Sequence, residues 1–147
     1  MITENHLISY RNVASKLYAL LPKEIDSALK HFQMILTGNG YHPTGSIFYS
    51  ISDPIAEVMS VELFLPIAEN YFSLPKEEEI NFQSYFSVDN LLMVRIIDDF
   101  EVQFPVKYSE LCEYMKNHNR SQKTPVFIQL KKTNSNQTYA EMSIGVV

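Results

Sequence analysis

The sequence predicts an α+β fold of two β-α-β-β repeats in a pseudo-two-fold arrangement, an antiparallel sheet with both helices on one face. Three observations carry this. One shift of 79 residues aligns both halves from end to end without a gap: Gly45 to Ile51 falls on Thr124 to Leu130, and Val61 to Ile67 on Ala140 to Val146. The apolar helix face Ile25, Leu29, Phe32, Ile35 and Leu36 falls on Phe104, Tyr108, Leu111, Tyr114 and Met115 under the same shift. Each half then closes with two stretches of period-two alternation around a turn. Few residues are identical, but Phe48 matches Phe127 and Glu62 matches Glu141.

The elements follow in order. Leu7 to Leu20 is rich in β-branched, apolar and Tyr residues, a strand signal. Pro22 suits a first helical position, and helical spacing runs on until Gly38-Asn39-Gly40 ends it. Ser46 to Ser52 and Glu57 to Ile67 form a hairpin around the turn signal Asp53-Pro54. Ala68 to Ile80, with Leu74-Pro75 and the charge run Lys76 to Glu79, reads as a solvated connector. A second strand runs from Phe86 to Ile97, Asp98 and Asp99 cap or lead into the second helix, and two strands flank Thr133 to Gln137. The expected organisation is one domain over 1–147: repeat one about 1–68, connector about 69–80, repeat two about 81–147. A half of about seventy residues is marginal alone, so the repeats are expected to share one core.

Composition removes several function classes. Twelve Lys plus Arg against seventeen Asp plus Glu leave a net charge of −5, which disfavours nucleic acid and anionic lipid; Lys131-Lys132 is the nearest approach to a basic block. No apolar run reaches the ~20 residues of a spanning helix. The single cysteine, Cys112, and an N-terminal stretch without signal-peptide character point to the cytoplasm.

Alternation sorts the hairpin residues by face. Ile47, Tyr49, Ile51, Val61, Leu63 and Leu65, with Val126, Ile128, Leu130, Ala140, Met142 and Ile144, are expected to meet the helices. The opposite face collects Phe48, Glu62, Phe64, Phe127, Tyr139 and Glu141, the candidate ligand-binding residues. If each ladder closes symmetrically about its turn, Phe48 faces Glu62 and Phe127 faces Glu141. A ring beside a carboxylate suits an organic cation, with cation–π attraction of about 0.5 to 2 kcal/mol.

The duplication, the element order and the endings Val61-Glu62-Leu63-Phe64-Leu65-Pro66-Ile67 and Ala140-Glu141-Met142-Ser143-Ile144-Gly145-Val146 resemble the gyrase-inhibitor-like superfamily. That group includes the effector-binding domains of AraC-type and multidrug-sensing transcription regulators. The resemblance spans nearly the whole chain. It implies a groove between two modules and places Glu141, with Glu62 as its mate, where a groove Glu meets cationic or amphiphilic ligands. The chain departs from the pattern in lacking Trp and the Gly-Pro-Tyr-like element after the first strand of each module, and it carries no helix-turn-helix, so a free-standing module is expected.

Neither a cofactor nor a metal is expected. His6, His31, His42 and His118 are scattered without ligand spacing, and no phosphate loop or nucleophile elbow occurs. Cys112 reads as a structural thiol. The leading expectation is a cytoplasmic small-molecule binding module for an amphipathic or cationic ligand. The alternative is a protein-interaction or accessory factor on the same scaffold, and the third reading, implied by the resemblance, is a hydrolase of small electrophiles using Glu141 with Tyr139 or Tyr10.

Overall fold

The computed structural model describes residues 1–147. Six strands and two helices make an α+β protein: β1 (Thr3–Leu20), α1 (Ile25–Gly38), β2 (Phe48–Ile51), β3 (Met59–Pro66), β4 (Ile80–Ile96), α2 (Phe100–Asn117), β5 (Gln122–Lys132) and β6 (Thr138–Val146). The order β-α-β-β occurs twice. The chain forms two compact units, a first of Ser9–Ser87 and a second of Met1–Ile8 with Val88–Val147.

In the first unit, β3 pairs antiparallel with both β1 and β2, in registers that include Val13↔Pro66, Leu20↔Met59 and Phe48↔Phe64. Tyr49, Ile51, Val61, Leu63 and Leu65 bury one face, and α1 contacts β3 while burying Ala28, Phe32 and Leu36. That spacing of four keeps the three on one helix stripe. Each large apolar side chain so buried contributes about 1.5–3 kcal/mol. Pro22 opens a short 3₁₀ turn before α1, where the Leu21 N–H donates to the Glu24 carboxylate at 2.8 Å. Gly40, at φ 87°, ends the helix by turning the chain so that the Tyr41 N–H reaches the Leu36 carbonyl at 3.0 Å.

In the second unit, β6 pairs antiparallel with β4 and β5. Val126, Ile128, Ala140, Met142 and Ile144 are buried, as are Leu111 and Met115 of α2, which contacts β6. Leu130, expected on this face, is 40% exposed near the turn end of the hairpin. Asp99 stands at the N-terminus of α2 with φ 46° and caps through its backbone carbonyl, which accepts the Gln103 N–H at 2.8 Å; its side chain makes no cap. The Tyr114 hydroxyl donates to Glu4 at 2.7 Å, tying α2 to the N-terminal arm of β1.

The long strands are longer than the sequence suggested. β1 starts at Thr3 and not Leu7, and β4 starts at Ile80 and not Phe86. In β4, Ile80, Phe82, Phe86 and Val88 are half-buried while Asn81, Gln83, Ser84 and Tyr85 are exposed, so a polar-rich stretch still alternates. A left-handed asparagine interrupts each long strand, Asn12 at φ 55° and Asn90 at φ 54°, and ladder pairing to β3 or β6 begins at the next residue. Asn tolerates this conformation better than most side chains. Asn12 to Asn90 is 78 positions, whereas the hairpins follow 79. The two halves therefore do not align without a gap; one residue of offset separates the outer strands from the hairpins.

The stretch before the charge run is anchored, contrary to a fully solvated connector. The Ser73 N–H donates to the Tyr41 hydroxyl at 2.8 Å, and Phe72 stacks on both Tyr41 and Phe82. Glu69 accepts from the His42 N–H at 3.0 Å and from His42 Nδ1 at 2.7 Å. These bonds hold the Glu69 carboxyl below its ordinary range. Lys76, Glu77 and Glu79 are exposed, and Lys16 Nζ donates to the Glu78 carbonyl.

Candidate functional site

The expected pairing of Phe with Glu does not occur. Phe48 opposes Phe64 and Ser50 opposes Glu62; Phe127 opposes Ser143 and Gln129 opposes Glu141. The ladders close about Ala56 and Ser135, each one residue further along the chain than the expected pairing requires. The first hairpin connects through Ser52 to Val58, an irregular loop, so its turn centre is not at Asp53-Pro54. Both hairpins share this register, which keeps Glu62 and Glu141 equivalent.

In the first unit the candidate residues are packed by their own neighbours. Phe48 is 1% and Phe64 3% exposed, and their rings stack with centroids 4.9 Å apart. Tyr10 stacks on Phe48 at 5.0 Å, and Phe86 leans on Phe64 at 4.8 Å. Offset and tilted contacts at these separations add to area burial. Phe48 and Phe64 are therefore core residues. Glu62 is half-buried, opposite Leu17 on β1 and Ser50 on β2.

The second unit carries a different arrangement around Glu141, which is 6% exposed. Arg95, directly opposite on β4, places Nε 3.5 Å from Oε2. His6 Nε2 lies 3.9 Å and Lys131 Nζ 4.0 Å from Oε1. The carboxylate thus has its countercharge inside the chain, and an organic cation would have to compete with Arg95 and Lys131 for it. The Arg95 side chain is 59% exposed and the Lys131 side chain 38%. Each pair is for that reason worth no more than about 1 kcal/mol.

Arg95 also lies over the Tyr139 ring, its guanidinium carbon 5.7 Å from the centroid. Tyr139 is half-buried and pairs with Lys131 across the hairpin. Arg95 and Tyr139 line an open depression of about 480 Å³ together with Ile97, Asp98, Thr133, Gln137 and Thr138. The alternation of β6 puts Tyr139 and Glu141 on one side, and antiparallel pairing puts Arg95 opposite Glu141.

Phe127, at 4% exposure, is core. Two buried polar atoms of this unit, His6 Nε2 and Ser143 Oγ, make no hydrogen bond within the protein; Ser15 Oγ of the first unit is the third such atom. An unpaired buried group of this kind costs about 1–3 kcal/mol. Native proteins commonly satisfy such groups with water or a ligand.

The sequence pointed to Tyr139 and Glu141 but missed Arg95, Lys131 and His6. The missing signal was the β4–β6 register, since Arg95 reads as an outward charge until β4 is laid beside β6. The remaining histidines have local partners: His31 bonds Tyr18, His42 bonds Glu69, and His118 bonds the Tyr114 carbonyl. No group of three or more His, Cys, Asp or Glu is arranged to hold a metal ion. No helix is long and apolar enough to cross a membrane.

Among solved structures, the chain is similar to the crystal structure of the EcmrR C-terminal domain, with a TM-score of 0.65 and 13% identity over 97% of this chain and 96% of that one. It is also similar to an uncharacterized conserved protein from Listeria innocua, with a TM-score of 0.55 and 10% identity over 98% of this chain and 92% of that one. A hydrolase from Listeria innocua gives a TM-score of 0.54 and 8% identity over the same shares. At these identities the likeness is one of fold. No curated protein matches the sequence. Residues 9–147 match the family described as Domain of unknown function (DUF5085), and the chain belongs to that family.

Proposed function

We propose that the chain is a small-molecule binding module whose ligand, an amphipathic compound, is held in the second unit at Arg95 and Tyr139, in front of Glu141. The observation that carries this reading is the accessible Arg95–Tyr139 pair, anchored from behind by Glu141 and lining an open depression. Ligand sites combine apolar walls with a few fixed polar groups, and this depression offers Tyr139 and Ile97 beside Arg95, Thr133 and Gln137. The resemblance to effector-binding domains and the fold shared with the EcmrR C-terminal domain support it. A cytoplasmic setting suits the free thiol of Cys112.

A thermal-shift screen of amphipathic compounds on the full chain tests the reading. Ligand at a hundred times its dissociation constant adds about 2.7 kcal/mol, which raises Tm by a few degrees at this size. Tyr139→Ala should remove the shift. A screen in which no amphipathic compound stabilises the protein counts against a binding module.

A second reading, an accessory factor acting on a partner protein without a small ligand, is favoured by one observation. Phe48 and Phe64 are closed off by Tyr10 and Phe86 and Phe127 is buried as well, so half of the expected ligand-binding residues serve as core. Capture of one specific partner by the wild type, lost with Tyr139→Ala in a chain that shows no ligand response, would favour it.

A further inference from the structure

We infer that the ligand of this site is an amphipathic anion: an oxyanion headgroup on Arg95 and Lys131, with an apolar body over Tyr139 and Ile97. The inference rests on the binding-module reading above and adds to it the charge and shape of the ligand.

The charges decide the sign. One carboxylate, Glu141, faces the permanent cations Arg95 at 3.5 Å and Lys131 at 4.0 Å, with His6 at 3.9 Å as a third basic group. The Glu141 side chain is only 8% exposed, whereas those of Arg95 and Lys131 are 59% and 38% exposed, so around Glu141 the charges within a ligand's reach are the cations. Asp98, the carboxylate in the depression's lining, offsets one of them.

The geometry fixes how an anion would be met. Arg95 turns its Nε toward Glu141, so the guanidinium is held in one orientation. Its side chain is 59% exposed, so donors remain accessible for planar, bidentate recognition of an oxyanion. The ring of Tyr139 supports the guanidinium from one side. Beside it, Ile97 is 68% exposed, an apolar surface that an alkyl or aryl body would cover.

The test is isothermal calorimetry on the full chain with three probes of matched body: octanoate, octyl phosphate and octyltrimethylammonium. Both anions should bind at least about tenfold tighter than the cation, a difference of about 1.4 kcal/mol. The stronger of the two separates a planar carboxylate from a tetrahedral phosphate as the preferred headgroup. Anion binding should weaken as salt is raised. Arg95→Gln should weaken both anions about tenfold. Glu141→Gln should strengthen them severalfold, because it removes the competitor for Arg95 and Lys131, and Asp98→Asn should act in the same direction.

Binding of the cation alone, abolished by Glu141→Gln, would overturn the anion assignment and leave the binding module standing. Silence of all three probes in the wild type would overturn both. Since Arg95 and Asp98 are exposed, a loss of no more than a few degrees in the melting of their variants without ligand separates a binding defect from a folding one.

Discussion

Arg95 and Glu141 oppose each other across the β4–β6 ladder, with Nε 3.5 Å from Oε2, so the most buried carboxylate of the sheet is answered by a half-exposed guanidinium. Arg95→Gln and Glu141→Gln should each lower unfolding free energy by about 1 kcal/mol or less. A double-mutant cycle measured by urea denaturation should give a coupling of about 0.5–1 kcal/mol that shrinks with salt. A coupling near zero at low salt would mean that the pair does not hold Arg95 in place.

Phe64→Ala should cost about 3–5 kcal/mol, because the ring is 3% exposed and sits between Phe48 and Phe86. Phe64→Leu should cost markedly less. Chemical denaturation reads both. A cost below about 1 kcal/mol for the alanine variant would return Phe64 to the candidate ligand surface.

Ser143→Ala should be neutral or stabilising by up to about 1 kcal/mol in the ligand-free protein, since the hydroxyl is fully buried and makes no hydrogen bond within the protein. A clear destabilisation, read by thermal melting, would instead reveal an ordered water satisfying it.

Glu69 links pH to stability. Its carboxyl is held below the ordinary value of 4.5 by hydrogen bonds from the side chain and backbone of His42. A depressed folded-state pKa gives stability that is present above the unfolded value and is lost as pH falls through the folded one. Glu69→Gln should therefore lower Tm at neutral pH, and the difference from wild type should close progressively as pH drops below about 4.5. A gap in Tm that is independent of pH would contradict this role for the carboxylate.

The hairpin faces and helix stripes were legible because side-chain periods of two and 3.6 leave direct marks, as at Val61, Leu63 and Leu65 or at Phe32 and Leu36. Register was not. It depends on the conformation of Ser52 to Val58, which no periodicity encodes, and a shift by one pair moved Glu62 from Phe48 to Ser50. The long strands hid behind polar residues such as Gln83 and Ser84, and their interruptions hid in three asparagines, Asn5, Asn12 and Asn90, that an otherwise strand-like stretch could have flagged. The candidate site was half legible for the same reason. Tyr139 and Glu141 share a strand, whereas Arg95 and His6 arrive from β4 and β1, and their approach to Glu141 is a tertiary fact.

The most direct measurement is an NMR titration of isotope-labelled protein with octyl phosphate. The account predicts that signals of Arg95, Gln137, Tyr139 and Glu141 move first and saturate together, while those of Phe48, Phe64 and Phe86 stay in place. Movement confined to the Phe48, Phe64 and Phe86 signals, with Arg95 and Tyr139 unaffected, would contradict it.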